Sequence, residues 1–156
     1  MRRSIGLALT LALVFEFTAW AGLGSNKTMY DGGTITAIKQ GTEGKSSTQD
    51  EKVFEFDYKD GQLSIPYEKI NDIEYGQKAG RRVGLAIAIS PWLLLSKKRK
   101  HFLTVGYLDE SDKQQAGVFE LGKDIVRITL ASLEARTGKK IDYQDEEARK
   151  SGLGGL

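Results

Sequence analysis

The segment Lys52–Pro66, KVFEFDYKDGQLSIP, reads as a β-hairpin. Phe54, Phe56 and Tyr58 alternate with Val53, Glu55 and Asp57, the period-2 pattern of a half-buried strand with an aromatic inner face. Asp60-Gly61 is a tight-turn signal, because a primed turn needs positive φ and these residues adopt it at little cost. Leu63 and Ile65 continue on the return strand until Pro66 removes a backbone donor. The hairpin sets the chain in a β class, and its neighbours on both sides extend that reading.

Upstream, Thr34, Ile35, Thr36 and Ile38 follow Asp31-Gly32-Gly33 and predict another strand. The polar, Gly/Ser-rich stretch Gly41–Glu51 predicts a loop. Downstream, Ile70, Ile73 and Tyr75 predict a strand that ends at Gly76. Phe102–Leu108 is rich in sheet formers, Glu110–Lys113 is a charged turn, and Gln114–Leu121 pairs back. Asp124 is the expected cap of a helix running to about Thr137. Val126, Leu130 and Leu133 form its apolar stripe, widened by Ile125, Ile128 and Thr129. Gly138 supplies a left-handed C-terminal cap, and Lys139-Lys140 sit favourably by the helix dipole.

These elements predict a mainly β (α+β) domain: a small antiparallel curved sheet or split barrel of roughly six or seven strands closed by one C-terminal amphipathic helix. The strand plan, the Ile65-Pro66-Tyr67-Glu68-Lys69-Ile70 turn and the closing segment Phe119–Gly138 resemble the pleckstrin-homology-like superfold, in the sense that includes bacterial PH and GRAM-like domains. Lys97–Val105 and Leu133-Glu134-Ala135-Arg136-Thr137-Gly138 are similar to stretches of uncharacterised exported bacterial proteins. The resemblance implies binding of lipid headgroups, peptides or proteins rather than catalysis. It also sets apart the connection between Gly76 and Phe102, twenty-five residues where such domains use a short loop.

The N-terminus reads as an export signal. Arg2 and Arg3 form a positive n-region, Ile5–Phe15 an apolar core, and Ala19-Trp20-Ala21 the small residues of a cleavage site, so cleavage is predicted after Ala21. A lipid anchor would need a cysteine, and the chain has none. That lack also excludes a disulfide framework and cysteine-based zinc sites. Without residues 1–21 the chain carries 21 basic and 20 acidic residues, a formal charge of +1 that is no nucleic-acid footprint. The expected organisation is a signal peptide over 1–21, a flexible segment over 22–32, a PH-like domain over 33–141 with an insertion at 77–100, and a disordered tail over 142–156.

Within the insertion, Val83–Leu95 is a nearly unbroken apolar run of thirteen residues between Arg81-Arg82 and Lys97-Lys98-Arg99-Lys100. As a helix it would span ~20 Å, too short for a bilayer, and Pro91 breaks it. Two readings stay open. In one, Trp92, Leu93, Leu94 and Leu95 meet an anionic lipid surface or an envelope partner, while Arg81, Arg82, Lys97, Lys98, Arg99 and Lys100 meet its anions. In the other, Val83, Leu85, Ile87 and Ile89 alternate with small residues, as in a buried strand, and the run is core or a homo-oligomer interface.

No catalytic constellation emerges. His101 is the only histidine, so no histidine pair can hold a metal, and it reads as a surface residue at a strand start. Asp109, Glu110 and Asp112 lack calcium-loop spacing and read as a hairpin turn. Glu68, Asp72 and Glu74, at even spacing, read as a solvated face. No cofactor, metal or nucleic acid is expected. The function expected is that of an exported, non-enzymatic binding or adaptor domain, periplasmic or extracellular, with a self-associating envelope protein as the alternative.

Overall fold

The computed structural model describes residues 27–77, 88–89 and 100–154. The order is β1 (Lys27–Gly33), β2 (Thr42–Ser47), β3 (Val53–Tyr58), β4 (Gly61–Pro66), β5 (Ile70–Gly76), β6 (Ala88–Ile89), β7 (Phe102–Leu108), β8 (Gln114–Leu121), α1 (Val126–Thr137), β9 (Asp142–Tyr143) and α2 (Glu146–Gly152). The strands form one sheet in the order β4-β3-β2-β1-β8-β7-β5-β9, with β6 added to β1. The chain is mainly β, as expected. The sheet stays open, with β4 and β9 at its edges, and it is mixed, because β9 runs parallel to β5.

The predicted hairpin forms with Phe54 and Phe56 fully buried and Asp57 exposed. Tyr58 pairs with Gly61, so the turn is Lys59-Asp60, one residue earlier than expected. None of these residues has a positive φ, so the primed geometry is not used. Phe119 lies at the centre of the core, with the rings of Tyr30, Phe54 and Phe56 at 5.7, 5.5 and 5.4 Å. From the other side α1 contributes Val126, Leu130 and Leu133, the stripe read from spacing, together with Ile125 and Thr129. Ile128 is the exception, 65% exposed.

Several expectations need correction. Residues 27–32, expected to be flexible, form most of β1, a central strand between β2 and β8. Tyr30 pairs with Phe119 and Gly32 with Val118, which makes Asp31 the extra residue of a β-bulge. Gly32 and Gly33 then continue at φ 139° and 141°, a conformation natural to glycine. Thr34–Ile38, expected as strand, is bends and turns, and Ile38 drops into the core.

The loop expected over Gly41–Glu51 contains β2. Its positions opposite Tyr58 and Phe56 are Gly44 and Ser46: the Phe56 ring occupies the space above Gly44, and the Ser46 hydroxyl is buried 2.6 Å from that of Thr28. Asp124 lies in a 3-10 turn, Lys123–Ile125, and makes no side-chain cap of α1. Gly138 ends α1 as expected at φ 66°. The tail over 142–156, expected to be disordered, holds β9 and α2. Asp145 caps α2 by accepting from the Ala148 N–H at 2.7 Å, and Ala148 is fully buried.

Candidate functional site

The pleat gives the sheet a second face, away from Phe119. The pairing register runs Gly76–Phe102–Glu120–Met29 across it in one row and Glu74–Thr104–Val118–Gly32 in the next. Where β5, β7 and β8 meet, this face is buried too: Phe102 is 3% exposed, Val118 0% and Glu74 1%. The long connection between β5 and β7 is rooted here, because Gly76 and Phe102 pair directly. Its middle returns to the sheet, where Ile89 pairs with Gly32 and Ala88 with Gly33. β1 therefore changes partner along its length, from β2 over Lys27–Tyr30 to β6 over Gly32–Gly33. The bulge residue Asp31 marks the change.

Of the predicted contact residues, Arg81, Arg82, Trp92, Leu93, Leu94, Leu95, Lys97, Lys98 and Arg99 lie outside the described residues, as do the signal segment and the rest of the apolar run apart from Ala88–Ile89. Lys100 is described, and its role differs from that expected. Its ammonium donates to Glu120 Oε2 at 2.6 Å, and both side chains are about three-quarters buried. It is tied into the sheet instead of standing free for an external anion. Asp31, which feels the charges of both, is 2% exposed. Burial, then the negative charge of Glu120, push the Asp31 carboxyl up to about 7, against the smaller opposing pull of Lys100. The Asp31 Oδ2 has no hydrogen-bond partner among the described residues.

His101 is half-buried, not a surface residue. Nδ1 and the Tyr75 hydroxyl are 2.6 Å apart and the two rings stack. Tyr75 also reaches Ser151 of α2 at 3.4 Å. Burial, and then the Lys123 ammonium, hold His101 below its ordinary pKa. The three carboxylates expected to share a solvated face do not. Glu68 is exposed in a 3-10 turn. Asp72, beyond a register shift, is raised by burial and then by Asp142. Glu74 is buried, with Oε1 accepting from Gln144 Nε2 at 2.9 Å.

The acidic turn Asp109–Asp112 is a hairpin, as expected. Asp109 Oδ1 accepts from the Ser111 and Lys113 N–H groups at 2.8 and 3.0 Å, and Asp112 takes φ 57°. Those backbone donors, Lys113 first, hold the Asp109 carboxyl below its usual range. An open groove of about 560 Å³ crosses the second face over β1, β2 and β3. Its lining mixes Lys27, Lys45 and Lys59 with Glu43, Asp57 and Glu120, and that balance selects no ligand charge. Among the described residues no cluster could hold a metal ion, and no helix is long and apolar enough to cross a membrane.

Asp31 and Glu120 are the residues that sequence reading missed. Asp31 was hidden by the two glycines after it, and Glu120 by an unremarkable place in a strand. Compared with known proteins, the chain matches no family model and no curated protein sequence.

Proposed function

We propose that this chain is an exported, non-enzymatic binding domain of PH-like build. Its working surface is the connection 77–100, which contacts an anionic membrane surface or an envelope protein. The observation that carries the reading is the placement of that connection. Gly76 and Phe102 are directly paired, so a tight turn would join them, yet twenty-five residues lie between. A long excursion from a rigid root is how scaffolds present binding segments. The mainly β sheet with a helix packed across its aromatic face supports the PH-like build only at the level of class. Trp92 and Leu93–Leu95 supply apolar contact, with Arg81, Arg82 and Lys97–Arg99 as the anion-seeking flanks.

Self-association is the second reading. It is favoured by Ala88–Ile89, which pairs as a strand within an alternating run, as a covered segment would. The double change Trp92→Ser and Leu94→Ser separates the two readings. The binding reading expects loss of co-sedimentation with phosphatidylglycerol vesicles while the thermal transition stays in place. Unchanged vesicle binding together with loss of the folded state would overturn it. A dimer that persists at high salt without vesicles, and dissociates in the double variant, would establish the alternative.

A further inference from the structure

The two edges of the sheet are built differently. β9 offers two residues, opens with the charge of Asp142 and is followed closely by α2. β4 is six residues long, pairs with β3 without a bulge and carries no charged side chain. Edge strands are ordinarily blunted by charge, by a bulge or by brevity. β4 has none of these guards over Gly61–Ile65, and Gly61, Gln62, Ser64 and Pro66 are exposed.

The register fixes which backbone groups of β4 are free. Tyr58 and Gly61 close a two-residue turn, so they exchange both of their backbone bonds. Alternation makes Phe56–Leu63 and Phe54–Ile65 the next bonded pairs. The Tyr67 N–H donates to the Lys52 carbonyl at 2.8 Å in the same phase. The N–H and C=O of Gln62 and of Ser64 therefore point away from β3, as does the nitrogen of Pro66. A proline is tolerated there because no bond to β3 is lost. Among the described residues, no backbone group from another segment reaches Gln62 or Ser64.

We infer that β4 is the docking edge for a second copy of this chain, joined antiparallel about a two-fold axis at Leu63. Gln62 of each copy then faces Ser64 of the other. Two donors and two acceptors from each edge are all used, and the sheet continues from one copy into the next. Pro66 sets this register. A slide that centred the pair on Ser64 would press its ring, which has no N–H, against the Gln62 carbonyl of the second copy.

The side chains are self-complementary on both faces. On the aromatic face Leu63, half-buried against the core, meets the Leu63 of the second copy. The two form a non-hydrogen-bonded pair, the kind in which side chains approach most closely. On the other face Gln62 meets Ser64, two uncharged groups able to hydrogen-bond. Beyond the ladder, the Lys59-Asp60 turn of one copy lies alongside Tyr67-Glu68 of the other, which sets Lys59 beside an opposite charge. Lys59 and Glu68 are both exposed, and neither is in an ion pair among the described residues. An unrelated extended peptide would match the backbone groups alone. A second copy also matches Leu63 and, at both ends, the charges.

The chain has no cysteine, so introduced cysteines report on this edge alone. Residues opposite each other in a non-hydrogen-bonded pair have Cα atoms about 4.5 Å apart, within reach of a disulfide. Under mild oxidation Leu63→Cys is expected to give a disulfide-linked dimer. Gln62→Cys alone is expected to stay unlinked, and to link when mixed with Ser64→Cys. Sedimentation of the unaltered chain is expected to show a monomer–dimer equilibrium that shifts toward dimer with concentration. The double change Gln62→Lys and Ser64→Lys sets like charges directly opposite each other and is expected to weaken the dimer by about tenfold or more, with the thermal transition in place. Trp92→Ser with Leu94→Ser, which would dissolve a dimer built on the connection, is expected to leave this one intact. An unaltered chain that is monomeric at every concentration reached, a Leu63→Cys variant that stays unlinked, or a dimer indifferent to the two lysines would overturn the inference.

Discussion

At the scale of single residues, burial has changed the chemistry of groups that look ordinary in the sequence. Asp31 sits before two glycines, a context that suggests an exposed turn, yet it is the bulge residue of a central strand. Its folded pKa lies above its ordinary value. Its contribution to stability is therefore full below about pH 3.8 and is lost as pH rises toward about 7. The loss is of order 4 kcal/mol at most. His101 has the opposite sign: its lowered pKa favours folding above pH 6.5, and that contribution fades as pH falls through the folded value. Urea unfolding between pH 4 and pH 8 should separate the two. Asp31→Asn is expected to raise stability at pH 8 and flatten the slope above pH 4. His101→Gln is expected to flatten only the part below pH 6.5. None of this was legible beforehand, because a pKa shift depends on neighbours from distant segments, here residues 31, 100 and 120.

Among the elements, legibility followed the size of the inward side chains. β3, β7 and β8 announce themselves with Phe54, Phe56, Phe102, Leu103 and Phe119, and they lie where the pattern put them. β2 was hidden because its inward positions, Gly44 and Ser46, are small, Gly44 lying beneath the Phe56 ring. In α1 the stripe was read correctly and its width overestimated, and two substitutions test that distinction. Leu133→Ala removes a fully buried side chain and is expected to cost about 2–5 kcal/mol. Ile128→Glu alters an exposed position of the same helix and should stay within about 0.5 kcal/mol. Chemical denaturation of both variants checks the pair, and equal losses would place Ile128 in an interface. α2 escaped notice because one short cap, Asp145, and one buried alanine, Ala148, hold it. Ala148→Asp should free α2 and is expected to cost about 2 kcal/mol or more through a buried charge.

For the whole molecule, the class was readable and the closure was not. Hydrophobic patterning fixes which residues turn inward, but the pairing of β9 with β5 and the open edges at β4 and β9 depend on contacts far apart in sequence. The same holds for the connection between β5 and β7. Its apolar run and basic flanks stand out at once, while its attachments, at Gly32–Gly33 and at Glu120, appear only in the fold. The chain holds two tryptophans, Trp20 and Trp92, so the form expected after signal cleavage, Gly22–Leu156, reports on Trp92 alone. Its fluorescence during titration with phosphatidylglycerol vesicles tests the binding reading most directly. The expected result is emission typical of water-exposed indole without vesicles, moving to the blue as anionic vesicles are added and reversing with salt. Emission already blue and indifferent to vesicles would mean that Trp92 is covered by the protein itself, and would contradict a membrane-contacting connection.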